Sequence, residues 1–177
     1  MNLSNLYKLA NQGDISAQVS LGTIFHEGKA VSKNFEESFK WLLRAANQGN
    51  VKCQYNIGYM YLYAEGIEED AEEAFHWFKK AAEAGLVEAQ NYVGMMYRRG
   101  NGVEENFEEA FIWHSIGANN GHPESQCNLG TMYLYGDGVP ESITEGVHWL
   151  NLAVQQGSEF AREVLDEDEL WDYVYKI

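Results

Sequence analysis

The chain has little proline, cysteine or positive charge, and no long apolar run. Two prolines in 177 residues, with 45% hydrophobic and 14% aromatic content, argue against disorder and for a packed core. Two cysteines, Cys53 and Cys127, cannot build a disulfide framework, so a reducing cytoplasm is the expected setting. Lys plus Arg is 12 against 27 Asp plus Glu, a formal charge of −15. The deficit is uneven: residues 1–59 carry six basic and four acidic side chains, 60–99 four and eight, 100–177 two and fifteen. A surface of that sign repels phosphate, which argues against nucleic acid and against an anionic membrane surface as partners. No apolar run approaches the roughly 20 residues of a membrane span. The segment MNLSNLYKLANQG has neither a basic n-region nor an apolar h-region, so no signal peptide is expected there.

What the chain does have is internal repetition. Trp41, Trp77, Trp113 and Trp149 recur every 36 residues, as do Gln18, Gln54, Gln90 and Gln126. Gly22, Gly58, Gly94 and Gly130 keep the same period, and so do Gly49, Gly85, Gly121 and Gly157. Four repeats follow: 14–49, 50–85, 86–121 and 122–157. Each reads as two helices. The first carries Ala17, Leu21, Ile24 and Phe25 at helical spacing and stops at a glycine-rich turn, where positive φ is easy. Gly28, Gly100-Asn101-Gly102 and Gly136-Asp137-Gly138 supply that turn, whereas the second repeat has Ala64 and Gly66. The second helix opens at Asn34, Asp70, Asn106 or Ser142, each followed three residues on by Glu37, Glu73, Glu109 or Glu145, the spacing of a capping box. Phe35, Ser38, Trp41 and Ala45 then lie along one side. Small residues at the equivalents of positions 17, 22 and 45 let backbones approach, and the Trp fills the gap between helices, so truncating one should cost about 3–5 kcal/mol. A lone helix pair cannot bury its apolar face, but stacked pairs can. The expected fold is all-α, a solenoid of four 36-residue helix-turn-helix repeats in a single domain. Residues 1–13 and 158–177 are expected to be capping helices.

The run Ala89-Gln90-x-x-Val93-Gly94-x-x-Tyr97-x-x-Gly100-x-Gly102-Val103-x-x-Asn106-x-x-x-Ala110-x-x-Trp113 resembles the Sel-1-like repeat family, a relative of the tetratricopeptide repeat. Its three sister repeats do too. The resemblance implies a right-handed superhelix of antiparallel helix pairs. It also implies an adaptor or scaffold role for other proteins, some members being bacterial immunity proteins that neutralise toxins. Secreted cysteine-rich members hold a disulfide in each repeat, but Cys53 and Cys127 fall at non-equivalent positions of the repeat.

Catalytic chemistry finds little footing. Some family members are linked to β-lactam binding, yet no serine here has a lysine three residues on. His26, His76, His114, His122 and His148 contain no i, i+4 pair and no His-Glu-x-x-His, so neither a metal site nor a catalytic residue is expected. The Gly-x-Gly turns join two helices and lack a P-loop lysine, which makes phosphate binding a weak reading. No cofactor is expected, and the chain reads as a non-enzyme.

The resemblance places the first helix of each pair on the concave face. At about 100° per residue, the arc opposite the packed side holds Val19, Ser20, Thr23, His26 and Glu27, and its equivalents in each repeat. Among these, Tyr55, Asn56, Tyr59, Tyr63, Tyr92, Met95, Arg98, Arg99, Asn128 and Tyr135 are the candidate partner-binding residues, since Tyr, Met and Arg are enriched at interface centres. Arg98 and Arg99 would form a positive island. The alternative is that some of these tyrosines pack sideways between adjacent first helices. Met60, Met96 and Met132 hold a repeated core position. The acidic runs Glu68-Glu69-Asp70 and Asp166–Glu169 read as solvated faces, and Trp171, Tyr173 and Tyr175 as a cover over the last repeat. The expected partner is another protein, offering a peptide, a helix or a basic domain, with this chain monomeric when free. Two readings result: an adaptor that holds a partner segment on the concave face, or an immunity-type inhibitor that masks a basic toxin with its acidic half.

Overall fold

Helix boundaries follow from the caps. A computed structural model describes residues 2–167 and residue 170. These residues form ten helices and no strand: α1 (Leu3–Asn11), α2 (Ile15–Glu27), α3 (Phe35–Asn47), α4 (Val51–Leu62), α5 (Ala71–Glu83), α6 (Val87–Arg99), α7 (Phe107–Asn119), α8 (Pro123–Tyr135), α9 (Ile143–Gln155) and α10 (Glu159–Glu167). They gather into two compact units, residues 1–86 and 87–177. The first has eight basic and eleven acidic side chains, the second four and sixteen. Trp171, Tyr173 and Tyr175 lie outside the described residues, as does part of the Asp166–Glu169 run.

Asn34, Asp70, Asn106 and Ser142 each accept the backbone N–H three residues on, at 3.0, 3.0, 2.9 and 3.3 Å. The returning half of a capping box is not needed. Each cap residue's own N–H donates to a carbonyl of the preceding helix: Asn34 to Phe25 at 2.9 Å, Asp70 to Tyr61 at 3.1 Å, Asn106 to Tyr97 at 2.9 Å and Ser142 to Tyr133 at 2.8 Å. A single backbone donor leaves the glutamate nothing to satisfy, and the bond ties the two helices of a pair together.

Within each pair the helices touch through glycine. A Cβ at Gly22 would stand 2.5 Å from Leu42 Cγ, and one at Gly130 would stand 2.7 Å from Leu150 Cγ. The backbone carbonyls of Ser38 and Gly146 lie 3.4 and 3.0 Å from those same Cβ positions, so backbones approach within the pair. The small residues Ala45, Ala81, Gly117 and Ala153 are all buried, and a Cβ at Gly117 would stand 2.5 Å from Ser125 Oγ of the next repeat. In the first unit Phe39, Leu42, Ile57, Met60 and Trp77 share a core, while Leu6 and Ala10 of α1 close over Leu21 and Trp41. In the second, Ala161, Val164 and Leu165 of α10 pack on Val147 and Leu150 of α9. Met60, Met96 and Met132 are buried as expected. The tryptophans are not equivalent: Trp41 and Trp77 are buried, but Trp113 and Trp149 are half-buried, so the cost of truncation falls along the chain.

The glutamine column has a structural reason that its periodicity alone did not give. Gln18, Gln54 and Gln126 donate to the carbonyls of Ala10, Ala46 and Ala118 at 3.0, 3.3 and 3.3 Å, binding the end of the preceding helix. Gln48, Asn120 and Gln156 in turn donate to the side-chain oxygens of Gln18, Gln90 and Gln126 at 2.7, 3.3 and 2.7 Å. Buried amides are thereby satisfied at each repeat junction within a unit.

Candidate functional site

In the first unit the open faces of α2 and α4 enclose a cleft of about 450 Å³. Thr23, His26 and Glu27 come from α2, Tyr55, Asn56, Tyr59 and Met60 from α4, Leu42 from α3, and Glu65 from the turn after α4. Leu42 and Met60 are buried and give the cleft an apolar floor, with the polar and aromatic side chains around it. Three of the sequence candidates, Tyr55, Asn56 and Tyr59, therefore meet in one place. Tyr63 is half exposed and stacks on Tyr59, ring centroids 4.3 Å apart at 43°. Tyr55 is held edge-on by Phe78 at 5.5 Å. His26 Nε2 lies 3.3 Å from Glu65 Oε2, and Glu27 pairs with Lys29 at 3.1 Å, both exposed. Thr23, His26 and Glu27 lay on the arc read from the sequence, but Glu65 did not. Its turn position gave no periodic signal.

The second unit uses the same positions differently. Asn91 is buried and accepts from Ser125 Oγ at 3.3 Å and from Asn128 Nδ2 at 3.2 Å. Cys127, Thr131 and Leu134, on the arc expected to face outward, are buried as well. Here the first helices α6 and α8 bind each other sideways, through Asn91, Ser125 and Asn128 and not through the tyrosines for which the sequence left sideways packing open. Arg98 donates from Nη2 to Asp137 Oδ2 at 3.2 Å, so it is neutralised inside its own unit, while Arg99 next to it is exposed. Tyr92 and Met95 are half-buried and Tyr135 is exposed.

His114 is the residue that sequence reading treated only as a metal candidate. It takes the core position of Leu42, Phe78 and Leu150 in the other repeats, a register that would have marked it as buried. Its ring is fully enclosed, and neither nitrogen has a hydrogen-bond partner. Burial first, then the charges of Arg98 and His122, push its pKa down to about 3, so at neutral pH it is an uncharged imidazole. Burial likewise pushes the Cys53 and Cys127 thiols up to about 11, which keeps them protonated and poor nucleophiles. Among the described residues no three His, Cys, Asp or Glu side chains converge as metal ligands, and no helix is long and apolar enough to cross a membrane.

Comparison with known proteins accounts for this architecture. Residues 15–50, 51–86, 87–122 and 123–158 each match the model of the Sel1 repeat. The search of curated proteins gave no match. Among solved structures, the chain is similar to a protective antigen present in uropathogenic Escherichia coli strains and displaying an SLR fold, with TM-score 0.86 and 34% identity over 91% of this chain and 34% of that one. It is similar to a Sel1 repeat protein from Oxalobacter formigenes with TM-score 0.84 and 31% identity, over 90% of this chain and 65% of the other. It thus spans 34% and 65% of the lengths of these two relatives. An immunity protein from Pseudomonas aeruginosa shares the fold at TM-score 0.54 and 18% identity, over 88% of this chain and 58% of that one. Four tandem helix pairs with one 36-residue period, each matching the same repeat model, place this chain in the Sel1 repeat family.

Proposed function

We propose that the chain is a non-enzymatic module that holds a segment of another protein on the open faces of its first helices, with the α2/α4 cleft as its main anchorage. Sel1 repeat proteins are generally protein-interaction modules. The observation that carries the reading is the cleft itself: an apolar floor of Leu42 and Met60 below Tyr55, Asn56 and Tyr59. Rigid amphipathic rings over a desolvated floor are what interface anchors use, and an exposed amide such as Asn56 can pair with a peptide backbone. In the second unit, exposed Arg99 and half-buried Met95 are the side chains proposed for a further contact, with Tyr92 and Tyr135 on the same arc. Arg98 and Asn128, being bonded within the unit, serve to shape it.

The test is capture of partners from the native cells by the tagged chain and by Tyr59→Ala and Asn56→Ala variants of unchanged helicity. The expected result is a partner held by the wild type and lost from both variants. Equal capture by all three would overturn the cleft as the site.

A second reading is favoured by the charge of −15, most of it in the second unit: an inhibitor of the immunity type that masks a basic enzyme. It calls for one stoichiometric basic partner whose association rate falls steeply with salt. It also calls for indifference to Tyr59→Ala.

A further inference from the structure

His26 and Glu65 in the first unit occupy the repeat positions that Arg98 and Asp137 occupy in the second, each 72 residues further on. In the second unit this position is a finished ion pair. A guanidinium on the first helix of one repeat reaches the turn carboxylate of the next at 3.2 Å, both side chains about 30% exposed. In the first unit the same turn carboxylate, Glu65, meets only the shorter imidazole of His26 at 3.3 Å, and an open cleft lies beside it. Glu27 stands on the same rim, and its partner Lys29 is 79% exposed, a pair of little strength in water. Tyr55 and Tyr59 line the same enclosure, and a flat guanidinium stacks on aromatic rings while bonding carboxylates in a fork.

We infer that the α2/α4 cleft is a guanidinium site, which an arginine of the partner segment fills much as the chain's own Arg98 fills the equivalent place in the second unit. This inference rests on the cleft's being the partner site, and it names the chemistry of what enters. Glu65 and Glu27 supply the charge, Tyr55 and Tyr59 the stacking surface, and Asn56 a hydrogen bond to the adjoining peptide link. The selectivity is for arginine over lysine, because an ammonium is a hydrated point charge that gains less from flat rings and a two-oxygen acceptor.

The full chain is titrated with an acetylated Gly-Gly-Arg-Gly-Gly amide and with its citrulline counterpart, which keeps the shape and loses the charge, while amide and ring resonances are followed by NMR. The arginine peptide should move Tyr55, Asn56, Tyr59 and the His26 ring, leave the turn at Asp137 in place because that site is already occupied, and bind at least about tenfold more tightly than the citrulline peptide. Glu65→Gln, and independently Glu27→Gln should either variant fold poorly, should weaken it by a similar factor. Equal shifts with citrulline, no shift at all, or shifts spread equally over the acidic second unit would overturn the inference. Its failure is separable from that of the broader reading: partner capture that still depends on Tyr59 would leave the cleft as a docking site for an uncharged segment.

Discussion

Gly94 makes room for the ring of His114: a Cβ at position 94 would stand 2.8 Å from His114 Cε1 and Nε2. The imidazole is thus wedged between α6 and α7 with both nitrogens unsatisfied, held neutral by burial and by the charges of Arg98 and His122. An unfolded chain takes up this proton near the ordinary histidine value of about 6.5, whereas the folded chain resists until about 3. Stability from this group is therefore complete above about pH 6.5. It is lost as pH falls toward 3, at up to about 1.4 kcal/mol per pH unit. Urea unfolding at pH 7 and pH 4.5 should show a loss in the wild type that His114→Leu, the residue of the first and fourth repeats, largely removes. An equal acid loss in both proteins would assign it to other groups.

Ala64 carries φ of +55°, where the equivalent Gly28, Gly100 and Gly136 have +71°, +62° and +73°. An L side chain in this region costs about 1–2 kcal/mol, offset here in part because glycine loses more backbone freedom on folding. Ala64→Gly should raise stability by about 0.5–1 kcal/mol, read as a higher thermal midpoint. Gly66→Ala should act in the opposite direction and more strongly, since its Cβ would overlap the backbone of Phe35.

Gln18 both donates to Ala10 and accepts from Gln48, while Gln54 has Ala84 at the position of Gln48 and a longer bond to Ala46. Replacing Gln18 by leucine strands the buried Ala10 carbonyl and also takes the acceptor from the amide of exposed Gln48, at a cost of about 1–3 kcal/mol. Gln54→Leu strands one carbonyl and should cost less. Chemical denaturation of the two variants orders them, and a reversed order would contradict the ladder.

Period and residue type made the helix pairs, their caps and their glycine crossings legible, because the same packing problem is solved four times and the solution is written in the same columns. The reciprocal glutamate of the caps was misread because its spacing is the same whether or not it bonds; only the carbonyl of Phe25, brought close by folding, settles that. The arc of candidate residues was legible as a set but not by role. Tyr55, Asn56 and Tyr59 line an open cleft, whereas Asn91 and Asn128, at equivalent positions, close on each other. Which occurs depends on side chains in the neighbouring repeat, such as Ser125 beside Asn91, and no pattern within one helix reports them. Glu65 escaped notice for the same reason, being a turn residue that matters only through its approach to His26.

Arg98 and Arg99 separate binding from stability. Read from sequence they formed one positive island, but Arg98 is committed to Asp137 and Arg99 projects outward. Arg98→Ala leaves a carboxylate only 29% exposed without its cation, so it should lower stability by about 1 kcal/mol, less at high salt. Arg99→Ala should leave the unfolding midpoint within about 0.5 kcal/mol of wild type while lowering affinity for any partner that touches α6. Salt supplies the control. If Arg98→Ala destabilises equally in low and high salt, the loss comes from the packing of its aliphatic stem rather than from the ion pair.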